Sequence, residues 1–287
     1  MTNVLVTGSK GQLGTCIKSI QDKYSNIKFL FADKSFLDIT NTSELDDFFK
    51  SNNINWCINC AAYTSVDKAE EDTDAAYKVN EIGVKHLAKI CSEYNVVLIH
   101  ISTDFVFDGN ASKPYNETYE TNPLSIYGLS KLKGEIAIQE TCSQYFIIRT
   151  SWLYSEYNHN FLKTMLRLAN TRDEISVVSD QIGTPTYAKD LAQILLEIIN
   201  KNNNAFGLYH FSNEGVASWY DFTVAIFEET KTDIKVSPIK TKNYPTPATR
   251  PNFSVLDKTK IKASLDITIP HWRKSLRKAI LNLNKLS

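Results

Sequence analysis

The chain has 287 residues, of which 43% are hydrophobic and 22% are charged, and its 32 basic and 32 acidic side chains give a formal net charge of zero. This balance is ordinary for a globular protein and argues against a broad basic surface for nucleic acid or membrane. The five cysteines are too scattered for a disulfide scaffold, and no run approaches the roughly 18 apolar residues of a membrane span, so we expect a cytoplasmic protein.

Short β-rich runs alternate with longer helical patterns over the first 150 residues. Strands are predicted at 3–7, 27–33, 55–62, 96–103 and 145–152, and helices at 12–24, 42–51, 68–93 and 125–140. Continuous apolar strands separated by helices indicate a parallel sheet that is covered on both faces. The prediction is an α/β fold with a Rossmann-type, doubly wound parallel sheet and right-handed crossovers.

The later part of the chain is less regular. Helices are predicted at 160–170, 187–200, 218–229 and 271–284, with a strand near 207–212, and six of the eight prolines lie beyond residue 180. We expect a dinucleotide-binding domain at 1–152 that is completed by 184–212. A smaller, mostly C-terminal substrate-binding region would be formed by 153–183 and 213–287.

The stretch TGSKGQLG places Gly8, Gly11 and Gly14 directly between the first predicted strand and the first predicted helix. In this context the first glycine permits a tight turn, the second lets the backbone approach a pyrophosphate, and the third lets the helix pack closely on the sheet. The free N–H groups of the helix N-terminus then attract phosphate. The pattern predicts a dinucleotide site, and the alternative is an incidental glycine turn.

Asp33 ends the second predicted strand, 25 residues after Gly8. An acid at this place can accept hydrogen bonds from the adenosine ribose and repels a 2′-phosphate, which favours NADH. Lys34 follows directly and offsets part of that repulsion, so the predicted preference is modest. The alternative is an aspartate that only stabilises a turn.

Two cysteines in the third predicted strand, Cys57 and Cys60, have the CxxC spacing of some metal and redox sites. An offset of three residues puts them on opposite faces of a strand, and no second CxxC or HExxH motif accompanies them. Packing is therefore favoured, and no metal site is predicted. The sequence also lacks the GxSxG motif of many hydrolases.

Thr103 closes the fourth predicted strand, at the carboxyl end where parallel α/β sheets bind ligands. Tyr127 and Lys131 follow on a predicted helix, and their four-residue spacing puts them only about 40° apart around its axis. The phenol and the ammonium can therefore face the same place. A Tyr–Lys pair can be packing on a solvated face, or it can be an acid tuned by a cation.

These residues belong to a longer set of motifs. TGxxGxxG, Thr103 and YxxxK together resemble the extended short-chain dehydrogenase/reductase superfamily. Seven stretches resemble its dTDP-4-dehydrorhamnose reductases, and they are NCAAYTSVDKAE (59–70), STDFVFDG (102–109), YGLSKLKGE (127–135), RTSWLY (149–154), FLKTMLRLA (161–169), DQIGTPT (180–186) and RPNFSVLD (250–257). The resemblance runs from residue 3 to about residue 280. One departure is Phe105, where the family usually carries Tyr.

The resemblance implies how the three motif residues would act. Tyr127 would protonate the oxygen of the substrate carbonyl while NADPH or NADH delivers hydride to the carbon, and Thr103 would hold that oxygen in place. Lys131 would bind the nicotinamide ribose, and its positive charge would lower the pKa of Tyr127. Proton transfer by a positioned acid accelerates a reaction by about 10²–10⁴-fold.

The resemblance also implies two binding sites. The cofactor site would contain Gly8, Lys10, Gly11, Gln12, Leu13, Asp33, Asp38, Ile39, Ala61, Ala62, Tyr63, Tyr127 and Lys131. The dTDP-sugar site would contain Thr64, Val66, Thr103, Asp104, Trp152, Asn160, Asp180, Gln181 and Arg250. Arg250 would bind the diphosphate with two bonds, or it would pair with a carboxylate between the two regions. Trp152 would line the sugar pocket, or it would pack in the core.

The implied function is NAD(P)H-dependent reduction of the 4-keto group of dTDP-4-dehydro-L-rhamnose to dTDP-L-rhamnose, for cell-surface polysaccharide, and a homodimer is compatible with it. Two alternatives stay open. One is a nucleotide-sugar epimerase or 4,6-dehydratase of the same superfamily, although the dehydratases carry an acid where this chain has Phe105. The other is a non-catalytic NAD(P)-binding regulatory subunit, although the intact Thr103, Tyr127 and Lys131 argue against lost chemistry.

Overall fold

Six strands form a central sheet in which all neighbouring strands run parallel. The computed structural model describes residues 1–286, and its strands are β1 (Thr2–Thr7), β2 (Ile27–Ala32), β3 (Trp56–Asn59), β4 (Val97–Thr103), β5 (Tyr145–Thr150), β6 (Leu153–Tyr154), β7 (Glu174–Val178), β8 (Ile182–Gly183), β9 (Thr186–Tyr187), β10 (Gly207–His210), β11 (Ala217–Ser218) and β12 (Lys235–Ile239). The order across the sheet is β2–β1–β3–β4–β5–β10. The chain reverses direction across the sheet between β1 and β3, which is where such sheets bind ligands.

Helices cover both faces of this sheet and also form a smaller region after β5. They are α1 (Gln12–Ile20), α2 (Thr42–Ser51), α3 (Val66–Ala69), α4 (Thr73–Tyr77), α5 (Val84–Glu93), α6 (Ile126–Thr141), α7 (Phe161–Ala169), α8 (Ala188–Asn200), α9 (Trp219–Thr230), α10 (Thr259–Leu265) and α11 (Trp272–Leu283). A π-helical turn, Lys78–Gly83, joins α4 to α5. Within residues 1–286, no helix is both long and apolar enough to cross a membrane.

Each face of the sheet buries its own hydrophobic cluster, because the strands are apolar on both sides. Val4 and Val6 of β1 pack with α1 and α8 on one face, whereas Leu5 packs with α2, α5 and α6 on the other. The CxxC cysteines follow the same alternation. Cys57 lies in the second cluster and Cys60 packs against the first, so their prediction as packing residues on opposite faces is confirmed.

The doubly wound parallel sheet predicted from the sequence is confirmed, and several element ends differ. The third strand, predicted at 55–62, ends at Asn59, and the chain then leaves the sheet. The second strand ends at Ala32, so Asp33 is the first residue after it. The strand predicted near 207–212 is β10, which pairs with β5 and completes the sheet from a distant part of the chain.

Residues outside the central sheet form a smaller cluster of helices and short strands after β5. Helices α7, α9 and α11 pack around Phe222 and Trp272, β7 pairs with β12, and β8 pairs with β11. The sequence analysis missed β7, β12 and α10. Strand β12 contains Pro238, which has no N–H to donate, and such a residue argues against a strand except at a sheet edge.

Candidate active site

A cavity of about 570 Å³ opens at the carboxyl ends of β1, β2 and β3. Most residues predicted to bind the cofactor line it, namely Gly8, Lys10, Gly11, Asp33, Asp38, Ile39, Ala61, Ala62 and Tyr63. The lining is completed by Lys34, Ser35, Leu37, Cys60 and Val79. The structure thus brings the glycine turn, the end of β2 and the end of β3 to one crevice.

The glycine turn has the shape that a close approach to phosphate requires. Gly8 has a φ of +63°, and a Cβ atom there would lie 2.6 Å from the backbone nitrogen of Ala61. At Gly14 a Cβ atom would lie 2.6 Å from the Cα atom of Ser9, so only glycine lets α1 approach the turn this closely. Helix α1 begins after Gly11, which has no side chain to cap the first N–H groups. Those groups are therefore free to bind an anion.

Asp33 is bound on both sides of its carboxylate. Its Oδ1 atom accepts hydrogen bonds from the N–H and hydroxyl of Ser35, at 3.0 and 2.7 Å, and from the N–H of Phe36 at 3.1 Å. Its Oδ2 atom forms an ion pair with Lys10. The bonds from Lys10 and Ser35 lower the pKa of Asp33 to about 2. Asp33 therefore stabilises its own turn, and Lys10 offsets part of the charge that would repel a 2′-phosphate.

Two predicted cofactor residues have side chains that serve the fold. Gln12 donates a hydrogen bond to the carbonyl oxygen of Leu153 at 3.1 Å and accepts one from the hydroxyl of Ser155 at 3.0 Å. Leu13 is buried in the hydrophobic cluster beside α8. These side chains attach the start of α1 to the segment after β5 and do not line the cavity at the glycine turn.

The predicted catalytic residues come from β4 and α6. Thr103 is the last residue of β4, and its hydroxyl lies close to the hydroxyl of Tyr127 in the first turn of α6. Helix α6 begins at Ile126 because the side chain of Ser125 accepts a hydrogen bond from the N–H of Gly128 at 3.2 Å. The cap fixes the register of the helix, and thereby the place of Tyr127 beside Thr103.

Gly128 allows α6 to lie directly on the segment that follows β4. A Cβ atom at Gly128 would lie 2.2 Å from the carbonyl oxygen of Phe105. The ring of Phe105 packs edge-on against the ring of Tyr127, with 5.5 Å between centroids. The residue that departs from the family pattern therefore contacts the proposed acid through its ring.

Lys131 lies one turn after Tyr127 and is only 2% exposed. Its Nζ atom donates to the carbonyl oxygen of Ile101 at 2.7 Å and lies 3.1 Å from Nε2 of His100. Burial lowers the pKa of Lys131 to about 8. Burial also raises the pKa of Tyr127 to about 12, with the Thr103 hydroxyl acting in the opposite direction. The expectation that Lys131 lowers the pKa of Tyr127 is not met by the groups in this structure.

Asp104 is a buried acid beside this trio. It is 2% exposed, and its Oδ1 atom accepts a hydrogen bond from the Thr103 hydroxyl at 3.1 Å. Burial raises the pKa of Asp104 to about 6. Its Oδ2 atom is buried and has no hydrogen-bond partner within residues 1–286. A buried acceptor without a partner fits a ligand hydroxyl at this place.

A second cavity, of about 410 Å³, lies among α3, α7, β7 and α9. Two predicted substrate residues, Gln181 and Arg250, line it. The other lining residues are Asp67, Phe161, Met165, Leu168, Arg172, Ile175, Ser176, Val177, Val178, Trp219, Tyr244 and Thr246. Apolar walls with a few charged groups are typical of a pocket for a ligand that has a ring and a charged part.

Arg250 forms an ion pair across the two regions. Its guanidinium binds both carboxylate oxygens of Asp67, at 2.9 and 2.7 Å, and also contacts the hydroxyl of Thr246 at 2.6 Å. The interpretation of Arg250 as an ion-pair partner is therefore present in the structure, and the same side chain lines the second cavity. The bond from Arg250 holds the pKa of Asp67 below its usual value.

Trp152 stacks on Trp219, with 3.6 Å between ring centroids and 6° between ring planes. Its φ of +46° is unusual for a non-glycine residue, and a Cβ atom on Gly183 would clash with its indole. Gln181 accepts a hydrogen bond from Nε1 of Trp219 at 3.2 Å. Trp152 therefore packs against Trp219, which lines the second cavity, and does not line that cavity itself.

The remaining predicted substrate residues are spread more widely. The carboxylate of Asp180 accepts two hydrogen bonds from Thr241, both at 2.8 Å. The side chain of Asn160 caps α7 by accepting from the N–H of Lys163 at 3.2 Å. Thr64 and Val66 lie between Tyr63, at the first cavity, and Asp67, at the second. The side chains of Asp180 and Asn160 are thus engaged within the protein.

The sequence analysis did not single out Asp67, Arg172 or Trp219, all of which line the second cavity. Asp67 lies within the quoted stretch NCAAYTSVDKAE, but its partner is 183 residues away and no spacing rule connects them. Arg172 follows α7 in a polar segment that reads as a solvated loop. Among the described residues, no group of three or more His, Cys, Asp or Glu side chains could hold a metal ion.

Comparisons with known proteins identify the family. The family model described as RmlD substrate binding domain matches residues 1–285. The dTDP-4-dehydrorhamnose reductase of Aggregatibacter actinomycetemcomitans is 42% identical over 287 aligned residues, which cover 96% of this chain and 98% of that protein.

Solved structures agree with this match. A dTDP-4-dehydrorhamnose reductase from Clostridium acetobutylicum ATCC 824 superposes with a TM-score of 0.94 at 44% identity, covering 99% of this chain and 100% of that one. The enzyme of the same name from Bacillus anthracis str. Ames, in complex with NADP, superposes with a TM-score of 0.93 at 38% identity, covering 98% of this chain and 100% of that one. The matches span nearly the whole chain, and the chain therefore belongs to the dTDP-4-dehydrorhamnose reductase family.

Proposed function

We propose that the protein uses NADPH or NADH to reduce the 4-keto group of dTDP-4-dehydro-L-rhamnose, giving dTDP-L-rhamnose for cell-surface polysaccharide. Members of the family are named for this reduction, and the relative from Bacillus anthracis was solved in complex with NADP. The observation that carries the proposal is the placement of Tyr127, at the start of α6, beside Thr103 at the end of β4, because a positioned phenol is the proton donor that carbonyl reduction needs.

The crevice at the glycine turn fits a dinucleotide. A Cβ atom at Gly8 would clash with the backbone of Ala61, so glycine permits the tight turn, and the uncapped start of α1 offers N–H groups to the oxygens of a pyrophosphate. Asp33 and Lys10 lie where the adenosine ribose would bind. When bound, the nicotinamide cofactor supplies the hydride.

The side chains at the end of β4 would position the substrate carbonyl. Tyr127 holds its proton because burial raises its pKa to about 12, so it can donate that proton to the carbonyl oxygen. The Thr103 hydroxyl lies beside it and can hold the same oxygen. Asp104, with an unpartnered Oδ2 atom, can accept a hydrogen bond from a neighbouring sugar hydroxyl.

The second cavity is the proposed site of the nucleotide part of the substrate, so residues 153–183 and 213–287 would form the substrate-binding region. Aromatic and aliphatic side chains offer a surface for the base, and Arg250 and Arg172 offer positive charge for the diphosphate. The chain carries no net charge, so local cations are needed to bind a dianion. We also propose that the protein is cytoplasmic and that it can form a homodimer.

The epimerase or dehydratase alternative has less support. A dehydratase of the superfamily would need an acid at the place of Phe105, and that ring instead packs on Tyr127. The regulatory-subunit alternative would not require a tyrosine placed beside Thr103 at the carboxyl end of β4. Neither alternative predicts net consumption of reduced cofactor with a keto sugar.

The proposed function is tested by incubating the purified protein with the dTDP-4-keto sugar and NADPH or NADH. We expect stoichiometric oxidation of the cofactor and one product, dTDP-L-rhamnose, identified by mass and by NMR of the sugar. Redistribution among keto sugars without net cofactor oxidation would favour an epimerase. Cofactor binding without any turnover would favour the regulatory subunit.

A further inference from the structure

The first turn of α6 is bound by a side chain from a distant segment. Oε1 of Glu70 accepts a hydrogen bond from the N–H of Ile126 at 2.9 Å, across 56 residues of sequence. Ile126 is the first residue of α6, and Tyr127 is the second. The N–H groups of a first helical turn have no partner within their own helix, so they need acceptors from outside it. Glu70 is one of these acceptors.

Two side chains bind different N–H groups at this helix start. Ser125 caps the helix by accepting from the N–H of Gly128, and this local bond sets where the helix begins. The bond from Ile126 to Glu70 instead attaches the helix start to another part of the chain. The N–H of Ile126 lies in the rigid peptide plane that precedes Tyr127 by one residue. A bond to that plane therefore restrains the backbone from which the phenol extends.

The charge of Glu70 also suits this place. The first turn of α6 contains no acidic residue of its own. The start of a helix carries a partial positive charge, which favours a carboxylate nearby. Hydrogen bonds to an ionised acceptor are also stronger than those between neutral groups. Glu70 therefore supplies, from another segment, the negative charge that the first turn of α6 lacks.

The segment that carries Glu70 is itself anchored. Glu70 directly follows α3, whose last residue, Ala69, is 0% exposed. Three residues before Glu70, the carboxylate of Asp67 binds the guanidinium of Arg250 at 2.9 and 2.7 Å. The same carboxylate accepts a hydrogen bond from the N–H of Ala248 at 3.3 Å. A fully buried residue and bonds to a distant segment hold α3 in place, so Glu70 is a fixed support for α6.

The place of the Tyr127 phenol depends on how α6 lies against β4. Its ring packs edge-on against Phe105, with 5.5 Å between centroids, and its hydroxyl lies close to that of Thr103. Thr103 ends β4 and Phe105 belongs to the turn that follows it, so a shift of α6 would move the phenol relative to both. We infer that Glu70 is a positioning residue for Tyr127 and acts through the N–H of Ile126.

The consequence for catalysis rests on the proposed function. A proton donor must be aligned with the oxygen that it protonates, and a misplacement of about 1 Å can lower a rate by about 10²-fold. Glu70 does not touch the substrate in this proposal, since it acts through Ile126. Its loss should therefore lower kcat and leave the KM for the cofactor nearly unchanged, because we propose that the cofactor binds at the glycine turn.

The position of Tyr127 can be measured without substrate. The ring of Phe105 displaces the NMR signals of the Tyr127 ring protons because the two rings are in contact, and these signals are assigned by their loss in Tyr127→Phe. In Glu70→Ala we expect them to move towards the values of an exposed tyrosine. The N–H of Ile126 should exchange with solvent about tenfold faster or more. Glu70→Gln keeps an oxygen for this N–H, so both signals should stay close to those of the parent.

Turnover is compared in the same variants. Glu70→Ala should lower kcat by about 10- to 100-fold, whereas Glu70→Gln should stay within about threefold of the parent.

Glu117→Ala is the matched control. Oε1 of Glu117 accepts a hydrogen bond from the N–H of His210 at 3.0 Å, across 93 residues of sequence. The substitution removes the same kind of bond, but at β10, which lies two strands away from β4 in the sheet. It should lower Tm and leave kcat and the Tyr127 signals unchanged.

A third variant separates geometry from charge, and it also decides the matter where Glu70→Ala does not fold. Glu70→Asp keeps the charge but is one methylene too short for the N–H of Ile126, whereas Glu70→Gln keeps the reach and loses the charge. We expect the higher kcat, and the Tyr127 signals closer to the parent, in Glu70→Gln. The reverse order, unchanged Tyr127 signals in Glu70→Ala, or equal changes in Glu70→Ala and Glu117→Ala would overturn the inference. If the parent shows no turnover, the proposed function fails, and the Tyr127 and Ile126 signals still decide the inference.

Discussion

The two cavities differ in how the chain builds them. The cavity at the glycine turn, which is the proposed cofactor site, is formed by the ends of three neighbouring strands. Most of its lining comes from short stretches that follow β1, β2 and β3. The second cavity is lined by residues from α3 to the segment after β12, and its charged edge is an ion pair between residues 183 apart in the sequence. The first site follows from the topology of the sheet. The second depends on how distant segments pack.

The difference has a consequence for the substitutions that test each site. At the end of β4 a side chain can be changed while the strands hold the rest of the site in place. At the second cavity the loss of Arg250 removes a ligand-binding group and an ion pair together. A variant there needs a partner variant that separates binding from stability.

The largest effect is expected at the carboxyl end of β4, where α6 begins beside it. Tyr127→Phe removes the proposed proton donor and should lower kcat by about 10²–10⁴-fold. Cofactor affinity, measured by quenching of protein fluorescence, should stay close to that of the parent. Tyr94→Phe is a matched control, because the hydroxyl of Tyr94 binds Asp46 between α5 and α2. Near-parent turnover in Tyr127→Phe would remove Tyr127 from the mechanism.

The next effect concerns the charged edge of the second cavity. Arg250→Ala should raise the KM for the sugar nucleotide by about 10–150-fold, since hydrogen bonds to a charged group contribute about 1.5–3 kcal/mol. The KM for NADPH should barely change, because we propose that its pyrophosphate binds at the glycine turn. Steady-state kinetics with both substrates varied will measure the two constants.

The matched variant is Asp67→Asn, which breaks the same ion pair but leaves the guanidinium in place. Both variants should lower Tm slightly, because a partly exposed ion pair contributes about 0.2–1 kcal/mol. If Arg250 binds the diphosphate, Asp67→Asn should keep or improve the KM for the sugar nucleotide. Equal increases in KM for the two variants would instead assign a structural role to Arg250.

Most residues predicted to bind the cofactor meet at one cavity, because their positions follow from local turns and from the order of the strands. The turn at Gly8 and the start of α1 are local structures, and the parallel sheet then places Ala61 and Asp33 beside them. The side-chain roles of Gln12 and Asn160 could not be predicted, because their partners depend on packing rather than on spacing.

The directions of the pKa shifts of Tyr127 and Lys131 also could not be predicted from the sequence. A helical spacing correctly puts Tyr127 and Lys131 on one side of α6, but it contains no information about burial. Desolvation raises the pKa of one group and lowers that of the other, which is the reverse of the mutual effect expected from their charges. The buried neighbour of Lys131, His100, comes from β4, and no spacing rule connects the two residues.

A smaller effect is expected from Asp104, the buried acid directly after β4. Burial raises the pKa of Asp104 to about 6 from 3.8, so the folded state resists ionisation and its contribution to stability falls as pH rises through this window. The shift corresponds to about 3 kcal/mol. His210, whose pKa is lowered to about 3, acts in the opposite direction between pH 3 and 6.5.

The prediction is therefore tested as a difference between two proteins. The free energy of unfolding of Asp104→Asn, measured with urea at several pH values, should increase relative to the parent by about 2.4 kcal/mol between pH 4 and pH 7. His210 contributes equally to both proteins and cancels. A constant difference across this range would show that Asp104 titrates normally.

The smallest effect is expected at the outer end of the cofactor crevice. Asp33→Asn keeps an oxygen for the turn bonds from Ser35 and Phe36 but removes the negative charge. The charge repels a 2′-phosphate, and Lys10, already paired with it, offsets part of that repulsion. Because pairs near the surface contribute about 0.2–1 kcal/mol, the ratio of kcat/KM for NADPH to that for NADH should rise by only about two- to fivefold. The change should appear in the KM of the cofactor and shrink in high salt.

Asp22→Asn, which removes an exposed charge after α1, is the control. An unchanged ratio would place Asp33 outside the adenosine site and leave it as a turn residue, whereas a hundredfold change would mean that Lys10 does not offset its charge.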